Sequence, residues 1–129
     1  MFDSKNVLYI LTMLEAIEKI FIYSADFENE EKFYLANKQL NFNASVNLLI
    51  AIGEENKKID EELKTSNKIN WKNLSAMRDK VSHNYRGIDE SMVWEIIKDY
   101  LPTLKILLIE MLPKIENSEL YIKEALKTQ

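Results

Sequence analysis

Two glycines and two prolines in 129 residues leave this chain few places to turn. An all-β domain needs a turn every ten residues or so, and this composition does not supply them. A few long helices remain as the economical solution. Apolar residues make up 47% of the chain, enough to build a real core at this length. No low-complexity linker and no internal repeat divides it, so residues 1–129 are expected to form a single all-α domain, an antiparallel up-and-down bundle of about five helices.

Apolar spacing places the elements. Val7, Ile10, Leu11, Leu14, Ile17 and Phe21 recur at three- and four-residue steps and predict a first helix, capped by Asp3 and ending near Ser24 to Phe27. A second segment is expected from about Glu28 to Ala36, and a third from about Lys38 to Leu63. The third is apolar all round at residues 48–52, which predicts burial on several sides. Gly53 lies inside it. A mid-helix glycine costs about 1 kcal/mol relative to Ala, so its presence predicts the close approach of another backbone. Asn70 is placed to cap a fourth helix from Trp71, with Leu74, Met77 and Val81 as its stripe, failing near Asn84 to Gly87. Asp89 caps a fifth, running to about Ile115, which Pro102 should kink. A short last helix is expected over about Ser118 to Lys127. Helices one, three and five each show more than one apolar face, a pattern that suits dimerisation.

The composition also excludes chemistries. With no Cys there is no disulfide, zinc finger or thiol nucleophile, and with one His a zinc site is improbable. No P-loop or dinucleotide fingerprint is present. The N-terminal stretch lacks the layout of a signal peptide. The apolar run near Leu104 to Leu112 is too short for a membrane span. A soluble, cytoplasmic protein is the expectation.

The formal net charge is −4, which speaks against a general nucleic-acid binder. The distribution is more informative. Lys68, Lys72, Arg78, Lys80 and Arg86 face a single acid, Asp79, between residues 68 and 86. One basic segment on an acidic chain predicts a focused anionic ligand. Within it lies His83, the only histidine, in the last turn of the fourth helix, where the dipole favours its protonated form. Ser82, Asn84 and Tyr85 crowd polar groups around it. A neutral imidazole can take a ribose 2′-hydroxyl proton, an imidazolium can return one to a leaving oxygen, and an arginine can hold the phosphate between them. Positions 78 and 83 differ by about 140° around a helix. They converge only if the helix end unwinds, or if the arginine of one subunit meets the histidine of another.

Residues 78–85 carry Arg-x4-His-x-Tyr, as Arg78, polar Asp79, His83 and Tyr85. In this the chain resembles the HEPN superfamily, and within it the HepT-type toxins. The context agrees in order and spacing over roughly residues 40–115. Ile-Gly-Glu-Glu at 52–55 resembles the family's Ile-Gly-Glu-Ala, and residues 69–78 resemble its Ile-Pro-Trp run before the arginine, with Asn70 for Pro and Ala76 for Gly. Residues 88–102 resemble its Asp-x3-Val-Trp-x-Ile-Ile and Leu-Pro. The resemblance implies a HEPN-like homodimer with Arg78 and His83 facing an interface cleft, and metal-independent cleavage of RNA without a cofactor. Asp79, Ser82, Asn84 and Glu54 would support the site, with Lys80, Arg86 and Lys72 available to RNA. It also implies a small nucleotidyltransferase antitoxin of the MNT type that transfers AMP to Tyr85. The alternative is a noncatalytic HEPN module that binds and assists such a transferase.

Overall fold

The computed structural model describes residues 1–83 and 87–127, apart from the side chains of residues 83, 125 and 127. The chain is helical, as its composition predicts. The one extended pairing among the described residues joins Phe2 to Ile115.

Helix α1 spans Lys5–Ser24. Asp3 Oδ1 accepts the Lys5 amide at 2.9 Å and so satisfies a donor the helix cannot. Val7, Ile10, Met13, Ile17 and Ile20 are its most deeply buried residues, while Leu11, Leu14 and Phe21 pack at the margin. The buried stripe is thus turned slightly from the one spacing predicts, because several elements besides the central helix pack against this one. Helix α2, Glu30–Leu35, is capped by Asn29, which accepts the Lys32 amide. Its Phe33 is buried among the rings of Phe27, Phe42 and Trp94.

The central helix α3 runs Leu40–Glu55, shorter at both ends than expected. Asn37, Lys38 and Gln39 have φ of 51°, 56° and 69°, so the chain reverses through a left-handed run before the helix begins. Such residues cost roughly 1 kcal/mol each outside glycine. Asn41, hydrogen-bonded to Asn37 and to the Tyr23 carbonyl, holds the reversal in place. At the other end the predicted continuation to Leu63 is broken. Asn56 donates to the Gly53 carbonyl, residues Asn56–Lys58 tighten into a 3₁₀ turn, and Ile59 is extended. Only a short α4, Glu61–Lys64, follows.

The break is held from a distance. Buried Asn6 on α1 donates to Asp60 Oδ2 at 3.1 Å and accepts the Asp60 amide at 3.0 Å, with Lys5 at 3.4 Å from the same carboxylate. The Asn6 hydrogen bond, helped by Lys5, holds the Asp60 carboxyl below its ordinary value of 3.8. A depressed acid stabilises the fold above its unfolded-state value and loses that contribution as pH falls through its folded one. Asp60→Asn is therefore expected to be less stable than wild type near neutrality. The gap should close below about pH 4, followed by urea unfolding across pH. A gap that stays constant down to strong acid would show that the latch carries no such charge effect.

Helix α5, Trp71–His83, is capped by Asn70, whose Oδ1 accepts the Asn73 amide at 3.0 Å. Leu74, Met77 and Val81 are buried, as their spacing predicts. Asp89 Oδ1 accepts the Ser91 and Met92 amides and starts α6, Glu90–Glu95. Ahead of Pro102, where a kink is expected, the chain widens into a π turn, Ile96–Tyr100, leading into α7, Leu101–Met111. The wide turn, closed by the Leu101 amide on the Ile96 carbonyl, relieves the clash a proline ring makes with the preceding turn. Leu112–Lys114, with Pro113, ends this run, and α8 spans Ser118–Lys127. Buried side chains of α1, α3, α5, α6 and α7 make one apolar cluster, with α3 packed between α1 and α5. None of the described helices is long and apolar enough to cross a membrane.

Candidate active site

Helices α3 and α5 cross closely at Gly53, and the crossing explains that glycine. A Cβ on Gly53 would overlap Arg78 Cβ and lie 2.7 Å from its Cγ. The backbone approach predicted from a costly glycine is thus real, and the partner is the arginine of the motif. Contact with Gly53 presses the base of the Arg78 side chain against the central helix, and the next residue of α3 reaches its head. Glu54 Oε1 lies 2.5 Å from Arg78 Nε, off the N–H direction, so the two make a charge contact and not an aligned hydrogen bond. Asp79 Oδ1 holds Nη1 at 3.2 Å. Among the described residues, only Nε and Nη1 have carboxylate partners.

A guanidinium fixed by two carboxylates from two helices loses most of its rotational freedom. Its side chain is 27% exposed, so it remains within reach of a ligand. Lys57 Nζ, 3.6 Å from the same Glu54 oxygen, returns positive charge to the cluster. What the arrangement can do is present one oriented cation to a phosphate.

Other predicted residues are placed as follows. The Ser82 hydroxyl donates to the Asp79 carbonyl at 3.3 Å, so it is engaged by its own helix and does not join the Arg78 cluster. Lys72 and Lys80 are exposed on different flanks of α5. Lys72 lines a groove with Trp71, Ser75 and Asp79, while Lys80 lines another with Met77, Met92 and Tyr100. His83 is the last residue of α5 and its side chain lies outside the described residues, as do Asn84, Tyr85 and Arg86. The helix keeps its α-helical form from Arg78 through His83. The 140° offset between these positions is therefore not removed by unwinding before His83.

Two residues absent from the sequence reading belong to this site. Asn56, fully buried, bonds the Gly53 carbonyl at 2.6 Å and the Ser75 hydroxyl at 3.4 Å, tying the end of α3 to α5. Lys57 reaches Glu54 because three residues along a helix place them side by side. The spacing of Lys57 was readable. The role of Asn56 depends on a neighbour nineteen residues away and was not.

Residues 13–111 match the family model described as Ribonuclease HepT-like. The chain is 34% identical over 98 residues to "Probable ribonuclease HepT" of Thermococcus cleftensis, covering 75% of this chain and 86% of that protein. Two Methanocaldococcus jannaschii proteins carry RNase names. MJ1216 is 36% identical, over 80% of this chain and 82% of its own length. MJ0125 is 35% identical, over 80% and 85%. No solved structure gives a significant match.

Proposed function

This chain belongs to the HepT-like ribonuclease family, and from that premise we propose that it is a metal-independent endoribonuclease, the toxin of a toxin–antitoxin pair. The observation that carries the reading is Arg78, seated on Gly53 and oriented by Glu54 and Asp79. An arginine so held can bind the scissile phosphate and stabilise charge that develops on its oxygens. His83 supplies proton transfer. As base it removes the 2′-hydroxyl proton; the 2′-oxygen attacks phosphorus, the bond to the 5′-oxygen breaks, and an imidazolium protonates that leaving oxygen. A cyclic phosphate and a free 5′-hydroxyl result.

The offset of Arg78 and His83 along α5 supports a composite site, in which His83 of one protomer works with Arg78 of the other across a twofold interface. Exposed apolar side chains on α1 and α7, among them Leu8, Ile22, Ile106 and Ile109, are consistent with a homodimer. The partner in this reading is a nucleotidyltransferase antitoxin of the MNT type. It would transfer AMP from ATP to the Tyr85 hydroxyl, with pyrophosphate leaving. Bulk and negative charge two residues from His83 would then exclude RNA. Acidic net charge, −4, favours a second reading, a noncatalytic module that binds such a transferase.

One preparation tests both. Purified protein is expected to cleave single-stranded RNA in EDTA. After co-expression with a neighbouring nucleotidyltransferase its intact mass should rise by whole AMP units, which Tyr85→Phe abolishes. Co-purification with the transferase while the free protein leaves RNA intact would favour the noncatalytic module instead.

A further inference from the structure

A groove of about 910 Å³ runs beside α5, from the connection before it to the candidate site. Its walls include Lys64, Lys68, Trp71, Lys72, Ser75 and Asp79. Three features distinguish it. First, it ends beside Arg78, because Asp79 both lines the groove and pairs with that guanidinium. Trp71 and Asp79 are eight residues apart, about 12 Å along the helix.

Second, two of its three lysines, Lys68 and Lys72, are available. Lys5, Lys19, Lys32, Lys57, Lys58, Lys64 and Lys105 are all in ion pairs. Lys68 and Lys72 are exposed and have no ion-pair partner among the described residues. The acids of the groove are already engaged, Glu61 by Lys64 and Asp79 by Arg78. Third, Trp71 is fixed. Its Nε1 donates to the Lys64 carbonyl at 3.1 Å, and the Lys64 ammonium lies 5.4 Å from the ring centroid. The indole is therefore a positioned aromatic wall beside two ammonium groups that have no ion-pair partner among the described residues.

We infer that this groove is the track for the single-stranded RNA flanking the cleaved nucleotide, with Lys68 and Lys72 on its phosphates and Trp71 against a base. The inference rests on the ribonuclease reading above. A polyanion satisfies two lysines that have no ion-pair partner among the described residues, and the groove's end at Asp79, the partner of Arg78, lets the same molecule place a phosphate on that arginine. Its form follows from Trp71. Duplex RNA stacks its bases inward and offers an aromatic wall nothing to touch, whereas an unpaired strand exposes base faces.

The test uses the full chain and a labelled RNA of about twelve nucleotides, the upper range of such sites. The RNA is 2′-O-methylated throughout so that it cannot be cleaved. Binding is read by fluorescence anisotropy over a salt series. Lys68→Gln with Lys72→Gln is expected to weaken binding about tenfold. The slope of log affinity against log salt should fall by about 1.4, the single-strand value for two phosphate contacts. Lys38→Gln with Lys123→Gln makes the same change in net charge at exposed positions outside the groove, and should stay within about twofold of wild type. The same sequence as a duplex should bind more weakly and respond less to the groove substitutions.

Equal effects of the two pairs would reduce the groove to bulk charge and overturn the inference. So would a duplex bound as tightly as the strand, or wild type that binds no RNA. Lost affinity for the nucleotidyltransferase, with RNA binding intact, would assign the groove to a protein partner instead. The two readings fail separately. A protein that binds in the expected pattern but cleaves nothing keeps the track and loses the ribonuclease. One that cleaves while the groove pair leaves Kd and KM unmoved keeps the ribonuclease and loses the track.

Discussion

Replacing His83 by Ala is expected to slow RNA cleavage by about 10²–10⁴-fold, the range lost when a positioned acid–base group is removed. His83 lies at the end of α5, and no other histidine exists to substitute for it. Arg78→Ala should cost about 10²–10³-fold through lost charge stabilisation. Arg78→Lys should recover little, because a point charge cannot keep both the Glu54 and Asp79 contacts and still meet a phosphate. Arg78→Ala also leaves Glu54 short of a partner, so thermal unfolding must accompany the kinetics. Mixing the two inactive chains then decides how the site is built. In a composite site, a heterodimer of Arg78→Ala and His83→Ala chains carries one intact pair, and activity should return to a substantial fraction of wild type. With both groups in one chain the heterodimer stays dead. Full cleavage by each single variant would trace the activity to a contaminant and sink the catalytic assignment.

Gly53→Ala is the second large effect, and its sign is diagnostic. Helix propensity alone predicts a gain of about 1 kcal/mol, since Ala is the better helix former. The crossing predicts the reverse. The new methyl would overlap Arg78 Cβ, an atom fixed to the backbone of α5, so the two helices must separate. Overpacking of this kind costs about 1–3 kcal/mol, occasionally more, and a net loss of stability is expected. Function should suffer more than stability. Arg78 would move away from Glu54, and a displacement of about 1 Å in a positioned group can cost 10²-fold in rate. The measurement is thermal midpoint and cleavage rate on one preparation. A variant more stable than wild type with undiminished cleavage would show that Gly53 does not set the seat of Arg78.

The parts of the fold legible in the sequence are those decided within a few residues. Asp3, Asn70 and Asp89 each accept amides two or three positions on, so a short polar residue before an apolar period was enough to place a helix start. Leu74, Met77 and Val81 are buried as their period requires. The interruptions were not legible in the same way. Nothing local announces that Asn56 ends α3, or that Asp60 is gripped by a residue fifty-four positions earlier. Asn37 to Gln39 adopt positive φ without a glycine, held by contacts the pattern does not encode.

The site divides along the same line, and so does the scarcity of chain breakers. Two glycines and two prolines pointed, by themselves, to a helical chain, because a turn every ten residues is costly to build with so few of the residues that favour turns. The cost of Gly53 in a helix likewise signalled that something approaches it. The sequence also determined which groups can do chemistry, Arg78 and His83 on one short basic segment, since residue identity is all that requires. Only the tertiary structure decided that the approaching group is Arg78, that Glu54 and Asp79 orient it, and that Lys68, Trp71 and Lys72 line one groove with Asp79. Those relations depend on the packing of α3 against α5, which is set by the whole core at once.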